Sequence, residues 1–172
     1  MTAQRIRRLA SVDETQIEAL ADLIVDCVDG DASVSFMHPL SPEKARAFWR
    51  RVAASVDAGG CALIVAEDER GIAGTVQLRL DLPENQPHRA DLAKMMVHRR
   101  ARRRGLGEAL MRAAEDVARD CGRTLLVLDT VPGSDAERLY ARLGWVRVGE
   151  IPDYALLPRG GLAPTAVYYK RL

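Results

Sequence analysis

The sequence predicts an α/β fold, a single domain (1–172) built on a mixed sheet, with element order β-α-α-β-β-β-α-β-α-β-β. Three observations carry that prediction. Apolar residues recur at helical spacing in several segments, short apolar runs lie between them, and glycine, proline and aspartate punctuate the junctions. The length, 172 residues, is one domain's worth of chain and can bury a core without disulfides or metals. At 48% hydrophobic and 28% charged the composition is close to the globular average, which excludes wholesale disorder, collagen and coiled coil.

Residues 4–9 (QRIRRL) alternate polar with apolar and are the first strand candidate. Ile17, Leu20, Ala21, Ile24 and Val28 mark the first helix, with Asp13 as its cap and Asp29-Gly30-Asp31 as its end. Ser41 and Pro42 announce a second helix, whose stripe is Ala45, Phe48, Trp49, Val52 and Val56 and whose stop is Gly59-Gly60. Residues 30–41 form the loop between them. Cys61–Glu67 and Gly71–Leu80 flank a short turn and read as a hairpin. Asp91–Val97 is the next strand, reached through a polar stretch with Pro83 and Pro87. Leu106, Ala109, Leu110, Ala113, Ala114, Val117 and Ala118 mark a long amphipathic helix ended by Gly122. Thr124–Asp129 is a nearly continuous apolar run, as in a buried central strand. A short helix over Ser134–Leu143 and strands at Trp145–Glu150 and Ala163–Arg171 complete the order.

A formal net charge of +1 gives no global field to recruit nucleic acid or an anionic membrane, and neither is expected as a partner. Cys27, Cys61 and Cys121 lie far apart, form no CxxC and make no metal-ligand pairing with the histidines. They are expected to be reduced thiols in a cytoplasmic protein, with no metal bound. The first residues lack the apolar core of a signal peptide, and no run approaches the roughly 20 apolar residues of a membrane span.

The most informative stretch is Val97-His-Arg-Arg-Ala-Arg-Arg-Arg-Gly-Leu-Gly107, which joins a strand directly to a helix and contains Arg102-x-x-Gly105-x-Gly107. A helix N-terminus presents unpaired N–H groups and the positive end of the macrodipole, so it suits a phosphate. Glycines let the backbone approach the anion at positive φ, and neighbouring arginines add charge-assisted hydrogen bonds. Two blander readings stand beside this one. The turn could be a solvated basic surface, or the five arginines between 99 and 104 could meet nucleic acid, although no aromatic platform accompanies them. A dinucleotide site or P-loop fails on spacing, because there is no GxGxxG and no Gly-Lys-Ser/Thr ending.

The stretch VHRRARRRGLGEAL resembles the acyl-CoA-binding motif of the GNAT acetyltransferase superfamily, Gln/Arg-x-x-Gly-x-Gly/Ala after the fourth strand. Ala136-x-x-x-Tyr140-x-x-x-Gly144-Trp145, following the strand LLVLD, is similar to that family's second motif, so the resemblance spans essentially the whole chain. ASVSFM (32–37), HRADLAKMMV (88–97), LDTVPGSDAERLY (128–140), RVGEIPDY (147–154) and PTAVYYK (164–170) resemble, more closely, the tabtoxin-resistance acetyltransferases. The resemblance implies a GNAT-like, mostly antiparallel central sheet flanked by helices, and acetyl-CoA as co-substrate. It places that co-substrate against Met96, Val97, His98, Arg102, Arg103, Arg104, Gly105, Leu106, Gly107, Glu108, Ser134 and Tyr140. One departure is Gly133, where the family often has an asparagine that contacts CoA; Ser134 or the backbone then takes that contact.

The implied reaction is direct attack of a primary amine on the thioester, without an acyl-enzyme. An aliphatic amine is protonated at pH 7, and freeing its lone pair costs about 4.6 kcal/mol. Asp91 and Asp129 are the two candidates to take that proton. Asp91 lies eleven residues before Arg102, where many family members carry a glutamate, and its distance along the strand favours a water relay. Asp129 ends an apolar strand, where open α/β sheets place their sites. Backbone N–H groups near Met96 and Val97 are expected to hold the oxyanion, and Tyr140 to protonate the departing thiolate. Phe36, Asp153, Tyr154 and Tyr168 are further acceptor-side candidates, while His38 and His88 read as solvent-facing loop residues. The resemblance favours a small amino-acid-like or dipeptide-like amine as acceptor, such as a tabtoxin-type β-lactam antibiotic. A peptide or protein acceptor, and a non-catalytic acyl-CoA sensor, are the alternatives. A homodimer is the assembly the family suggests.

Overall fold

The computed structural model describes residues 5–172, so Gln4 of the first strand candidate lies outside the described residues. The expected elements form in the expected order: β1 (Arg5–Leu9), α1 (Glu14–Asp29), α2 (Pro42–Asp57), β2 (Cys61–Asp68), β3 (Gly71–Arg79) and β4 (Arg89–Val97). A single 3₁₀ turn at Arg99–Ala101 then leads to α3 (Leu106–Asp120), β5 (Leu125–Thr130), α4 (Asp135–Arg142), β6 (Val146–Leu156) and β7 (Leu162–Arg171). Local chemistry sets the helix starts. Asp13 closes a capping box with Gln16, and Ser41 accepts from the Lys44 N–H at 3.2 Å.

The strands form one seven-stranded sheet in the order β1-β2-β3-β4-β5-β7-β6, antiparallel throughout except for the parallel β4–β5 pair. Strand alternation divides the core in two. Ala62, Ile64 and Ala66 of β2 pack with Leu106, Leu110 and Met111 of α3, whereas Cys61, Leu63 and Val65 pack with α1 and α2 around Trp49. Both faces are thus covered, as the unbroken apolar run of β2 requires. Trp49 is fully buried, and cutting it to alanine would cost about 3–5 kcal/mol.

Two irregularities position the site. Ala93 pairs with Gln77 and Met96 with Thr75, so Lys94 and Met95 together oppose the single residue Val76, a bulge that bends β4. Ahead of the bulge β4 has already left β5: their pairing stops after Arg89–Leu125, Ala90–Leu126 and Asp91–Val127, while β5 continues along β7 as far as Thr130–Ala166. A wedge opens between the two parallel strands.

β6 runs six residues beyond the expected Glu150. Pro152 argues against a strand locally, yet the register break between Ile151 and Ala155 absorbs it, and Asp153 takes φ 51°. Pairing to Ala163 and Leu162 carries the strand onward.

Candidate functional site

The wedge is the mouth of a cavity of about 1100 Å³ that runs from the β4–α3 turn, past the splayed strands, to the α1–α2 loop. At its first end the chain from Val97 to Glu108 is backbone-rich and basic. Arg99 and Arg100 are occupied in anchoring the turn. The Arg99 N–H and guanidinium both reach Asp26 at 2.9 Å, and Arg100 pairs with Asp68. Burial raises the Asp26 pKa, but the hydrogen bonds from the Arg99 backbone and side chain, with the charge of His98, hold it below the usual carboxylate range. The Arg102 Nε donates to the Val97 carbonyl at 3.1 Å, and Arg103 and Arg104 form no ion pair among the described residues.

Arg103 (φ 60°) and Gly105 (φ 78°) are both left-handed, and Gly105 caps α3 without any side-chain hydrogen bond. The first amides of α3 therefore have no side-chain acceptor, beside the unpaired guanidinium groups. Gly107 lies where a Cβ would come within 3.1 Å of Leu139 Cδ2, so a larger residue would make the Leu139 side chain give by a few tenths of an ångström. This end suits a diphosphate.

Most of the expected co-substrate residues line the cavity: Met96, Val97, Arg102, Arg103, Gly105, Leu106, Gly107, Glu108, Ser134 and Tyr140. His98 and Arg104 do not. The His98 Nδ1 lies 3.2 Å from both the Arg100 backbone nitrogen and the Asp26 carboxylate, behind the turn. The Glu108 side chain is engaged with Arg112, and Ser134 is the N-cap of α4, accepting from the Glu137 N–H at 3.1 Å.

All three expected reacting side chains line the cavity. Tyr140 is 5% exposed, packed beside Trp145 and Tyr168. Burial, with a smaller push from Asp129, raises its pKa above the ordinary tyrosine value, so the phenol keeps its proton at neutral pH. Asp129 accepts from the buried Thr165 hydroxyl at 2.7 Å and is exposed to the cavity. Asp91 is ion-paired to Arg89, which also donates to Gln86, and it stands where the wedge closes. Ala90, Leu92, Leu126 and Leu128 face the α3 core, so by alternation Asp91 and Asp129 face the α1–α2 side.

At the far end a clasp that periodicity could not reveal ties the α1–α2 loop to the β6–β7 turn. Arg159, in the β6–β7 turn, reaches Asp31 at 2.7 Å, the Asp29 carbonyl at 3.3 Å and His38 Nδ1 at 3.1 Å. The His38 N–H donates to the Pro158 carbonyl at 2.8 Å. His38, expected to face solvent, is only partly exposed and belongs to this clasp, with Nε2 3.5 Å from Asp29. Ser35, Arg79, Lys94 and Cys27 also line the cavity and were not among the candidates. Burial pushes the Cys27 thiol up to about 11, so it is not a thiolate at neutral pH. Of the acceptor-side candidates, Tyr154 lines the cavity; Phe36 instead packs edge-on against Phe48, and the Tyr168 hydroxyl is spent on Glu137 at 2.6 Å.

Among the described residues no cluster of His, Cys, Asp and Glu is gathered that could hold a metal, and no helix is long and apolar enough to cross a membrane. The family model for the acetyltransferase (GNAT) family matches residues 18–145. Three solved structures share the fold over nearly the whole chain. A GCN5-related N-acetyltransferase from Kribbella flavida is 24% identical at a TM-score of 0.79, covering 99% of this chain and 98% of that one. The ribosomal-protein-alanine N-acetyltransferase from Brucella melitensis is 22% identical at a TM-score of 0.80, covering 98% and 99%. The protein yncA from Salmonella typhimurium, solved with its cofactor acetyl-CoA, is 19% identical at a TM-score of 0.79, covering 99% and 94%. At these identities the likeness is one of fold.

Proposed function

The chain belongs to the acetyltransferase (GNAT) family, and from that premise we propose that it moves the acetyl group of acetyl-CoA to the primary amine of a small molecule in the cytoplasm. The observation that supports the small-molecule part is the clasp, which ties the α1–α2 loop, part of the cavity lining, to the β6–β7 turn, an arrangement suited to a capped pocket more than to a groove open at both ends. Resemblance to the tabtoxin-resistance enzymes narrows the favoured acceptors to amino-acid or dipeptide-like compounds, tabtoxin-type β-lactams included, and makes antibiotic resistance the proposed role.

Acetyl-CoA fits the residues present. Its diphosphate would meet the left-handed turn at Arg103 and Gly105, and its thioester would lie in the wedge between β4 and β5. The amine nitrogen attacks the thioester carbon, the C–S bond breaks, and the thiolate takes the Tyr140 proton. The proton lost from the amine goes to Asp129. That residue is preferred over Asp91 because Arg89 already neutralises Asp91, whereas Asp129 is held only by a neutral hydroxyl. A Cys27 thiol pushed to about 11 favours direct attack over an acyl-cysteine.

The test is thiol release from acetyl-CoA against amino acids, dipeptides, tabtoxinine-like lactams, polyamines, aminoglycosides and short peptides, with Tyr140→Phe and Asp129→Asn alongside. Turnover with one small class, reduced in both variants, is the expected result. Turnover with peptides alone would make the acceptor a polypeptide. Tight acetyl-CoA binding without turnover would make the chain a sensor, and no binding would overturn the site.

A homodimer is proposed on separate grounds. β6 ends the sheet, and Val146 (47%), Val148 (67%), Ile151 (47%), Tyr154 (54%) and Leu156 (52%) are exposed along it, with Leu162 (61%) on β7. An uncovered apolar edge strand invites pairing, and a second copy would bury the same stripe from both sides. Light scattering tests this: a dimer that Val148→Asp converts to monomer is expected, and a monomeric wild type would refute it.

A further inference from the structure

We infer that the acceptor carries a carboxylate as well as an amine, and that Lys94 and Ser35 together anchor that carboxylate. The inference rests on the acetyltransfer reading above and deepens it by naming the acceptor's class. Lys94 is a residue of the β4 bulge, at φ 51°. Ser35, in the α1–α2 loop, is also left-handed at φ 75°. Non-glycine residues adopt this conformation rarely and at a cost, and such strain gathers where a side chain must be aimed. Here the two strained residues meet: the Lys94 Nζ donates to the Ser35 Oγ at 2.9 Å. Both line the cavity on the acceptor side.

The lysine has no counter-ion of its own. Among the described residues no carboxylate lies within ion-pair distance of Nζ, and its other neighbour is the Phe48 ring, 5.8 Å away. An ammonium has three donors, and Ser35 takes one. Arg79, paired in register with Asp91, lines the same chamber and adds a second positive charge. Burial, reinforced by Arg79 and opposed by a smaller effect of Asp129, pushes the Lys94 pKa down to about 8, the behaviour of a cation short of negative charge. A half-buried cation with spare donors is stabilised by a ligand that brings a carboxylate. Asp129 remains free of any cation in ion-pair contact among the described residues and is left for the acceptor's ammonium. The chamber therefore matches a zwitterion.

The experiment pairs turnover with equilibrium binding. Initial rates would be measured for the twenty L-amino acids and several dipeptides against their carboxamides, in the wild type, Lys94→Met, Lys94→Arg and Ser35→Ala. In parallel, calorimetry on the CoA-bound protein would follow binding of the N-acetyl amino acids against their amides. The expected wild-type preference for acid over amide is roughly 10²-fold in kcat/KM. It should fall to about 1 in Lys94→Met, persist in part in Lys94→Arg and shrink several-fold in Ser35→Ala, with the same ranking in the binding arm. Equal use of acids and amides by the wild type overturns the anchor while the acetyltransfer reading stands. So does a Lys94→Met loss confined to kcat with a displaced alkaline limb, since that marks a base. Carboxylate-selective, Lys94-dependent binding without turnover sustains the anchor and overturns amine transfer to these acids. Absence of both selective binding and turnover overturns the anchor whatever the reaction proves to be. Lys94→Arg and Ser35→Ala keep the test decisive if Lys94→Met fails to fold.

Discussion

The two ends of the cavity are built by different means. The end proposed for the co-substrate is one continuous stretch, Val97–Glu108, whose left-handed backbone would make the anion site and whose side chains anchor it to Asp26 and Asp68. The end proposed for the acceptor is lined by Ser35, Arg79, Lys94, Asp129 and Tyr154, contributed by four strands and the α1–α2 loop, with Arg159 tied to Asp31 at its margin. A backbone-borne site tolerates side-chain change but not a change of φ. A side-chain-borne site depends on each residue separately, so acceptor choice can vary while the cofactor end stays constant.

Substitutions can break or sharpen that contrast, and the largest effect is expected where the two ends meet. Tyr140→Phe should lower kcat by about 10²- to 10⁴-fold with the KM for acetyl-CoA little changed, measured by steady-state thiol release. Asp129→Asn should follow, at about 10²-fold in kcat, while Asp91→Asn has a smaller effect because Arg89 already holds that carboxylate. If the two aspartate variants were equally impaired, Asp91 would share the proton transfer.

At the co-substrate end, Gly105→Val forces a β-branched side chain into φ 78° and should raise the KM for acetyl-CoA roughly 10- to 100-fold, at a strain of about 1–3 kcal/mol. The KM for the acceptor should not follow it; if both rose together, the two ends would not be separable. At the acceptor end, Arg159→Ala removes the clasp and should raise the acceptor KM by about 3- to 10-fold through lost ordering of residues 30–41, leaving acetyl-CoA affinity unmoved.

The smallest effect is one of pH. Lys94 is surrounded by Arg79 of β3, Asp129 of β5, Ser35 of the α1–α2 loop and Phe48 of α2. Its folded pKa is lowered to about 8, so it is charged below that value and neutral above. Calorimetric binding of an N-acetyl amino acid should therefore be flat at lower pH and weaken as pH rises through about 8. The ordinary lysine value lies higher, so between the two the folded state binds fewer protons than the unfolded one. Lys94 thus costs stability at low pH, and stability is recovered as pH rises from about 8 towards the unfolded value.

Much of the fold was readable because it is encoded locally. The Asp13 and Ser41 caps, the helical stripes and the apolar run of β2 depend on residues a few positions apart, and each formed where expected. The C-terminal extent of β6 was not readable, because Pro152 speaks against a strand and only pairing with β7 sustains one. The same division runs through the site. Spacing and resemblance named Arg102, Gly105, Gly107 and Tyr140, which line the cavity, whereas the anchoring of Arg99 by Asp26 joins residues 73 apart, and Arg159 finds His38 across 121.

By itself, then, the sequence determined the order of elements and the glycine turn, for the reason that helix periodicity, capping and positive φ are settled within a few residues. The tertiary structure alone decided that β4 bulges at Lys94 and parts from β5 after Asp91, that Arg159 ties the β6–β7 turn to Asp31, and that Lys94 meets Ser35. Those outcomes depend on which strands become neighbours and in what register, and a register is chosen by the whole packed core, not by any one segment.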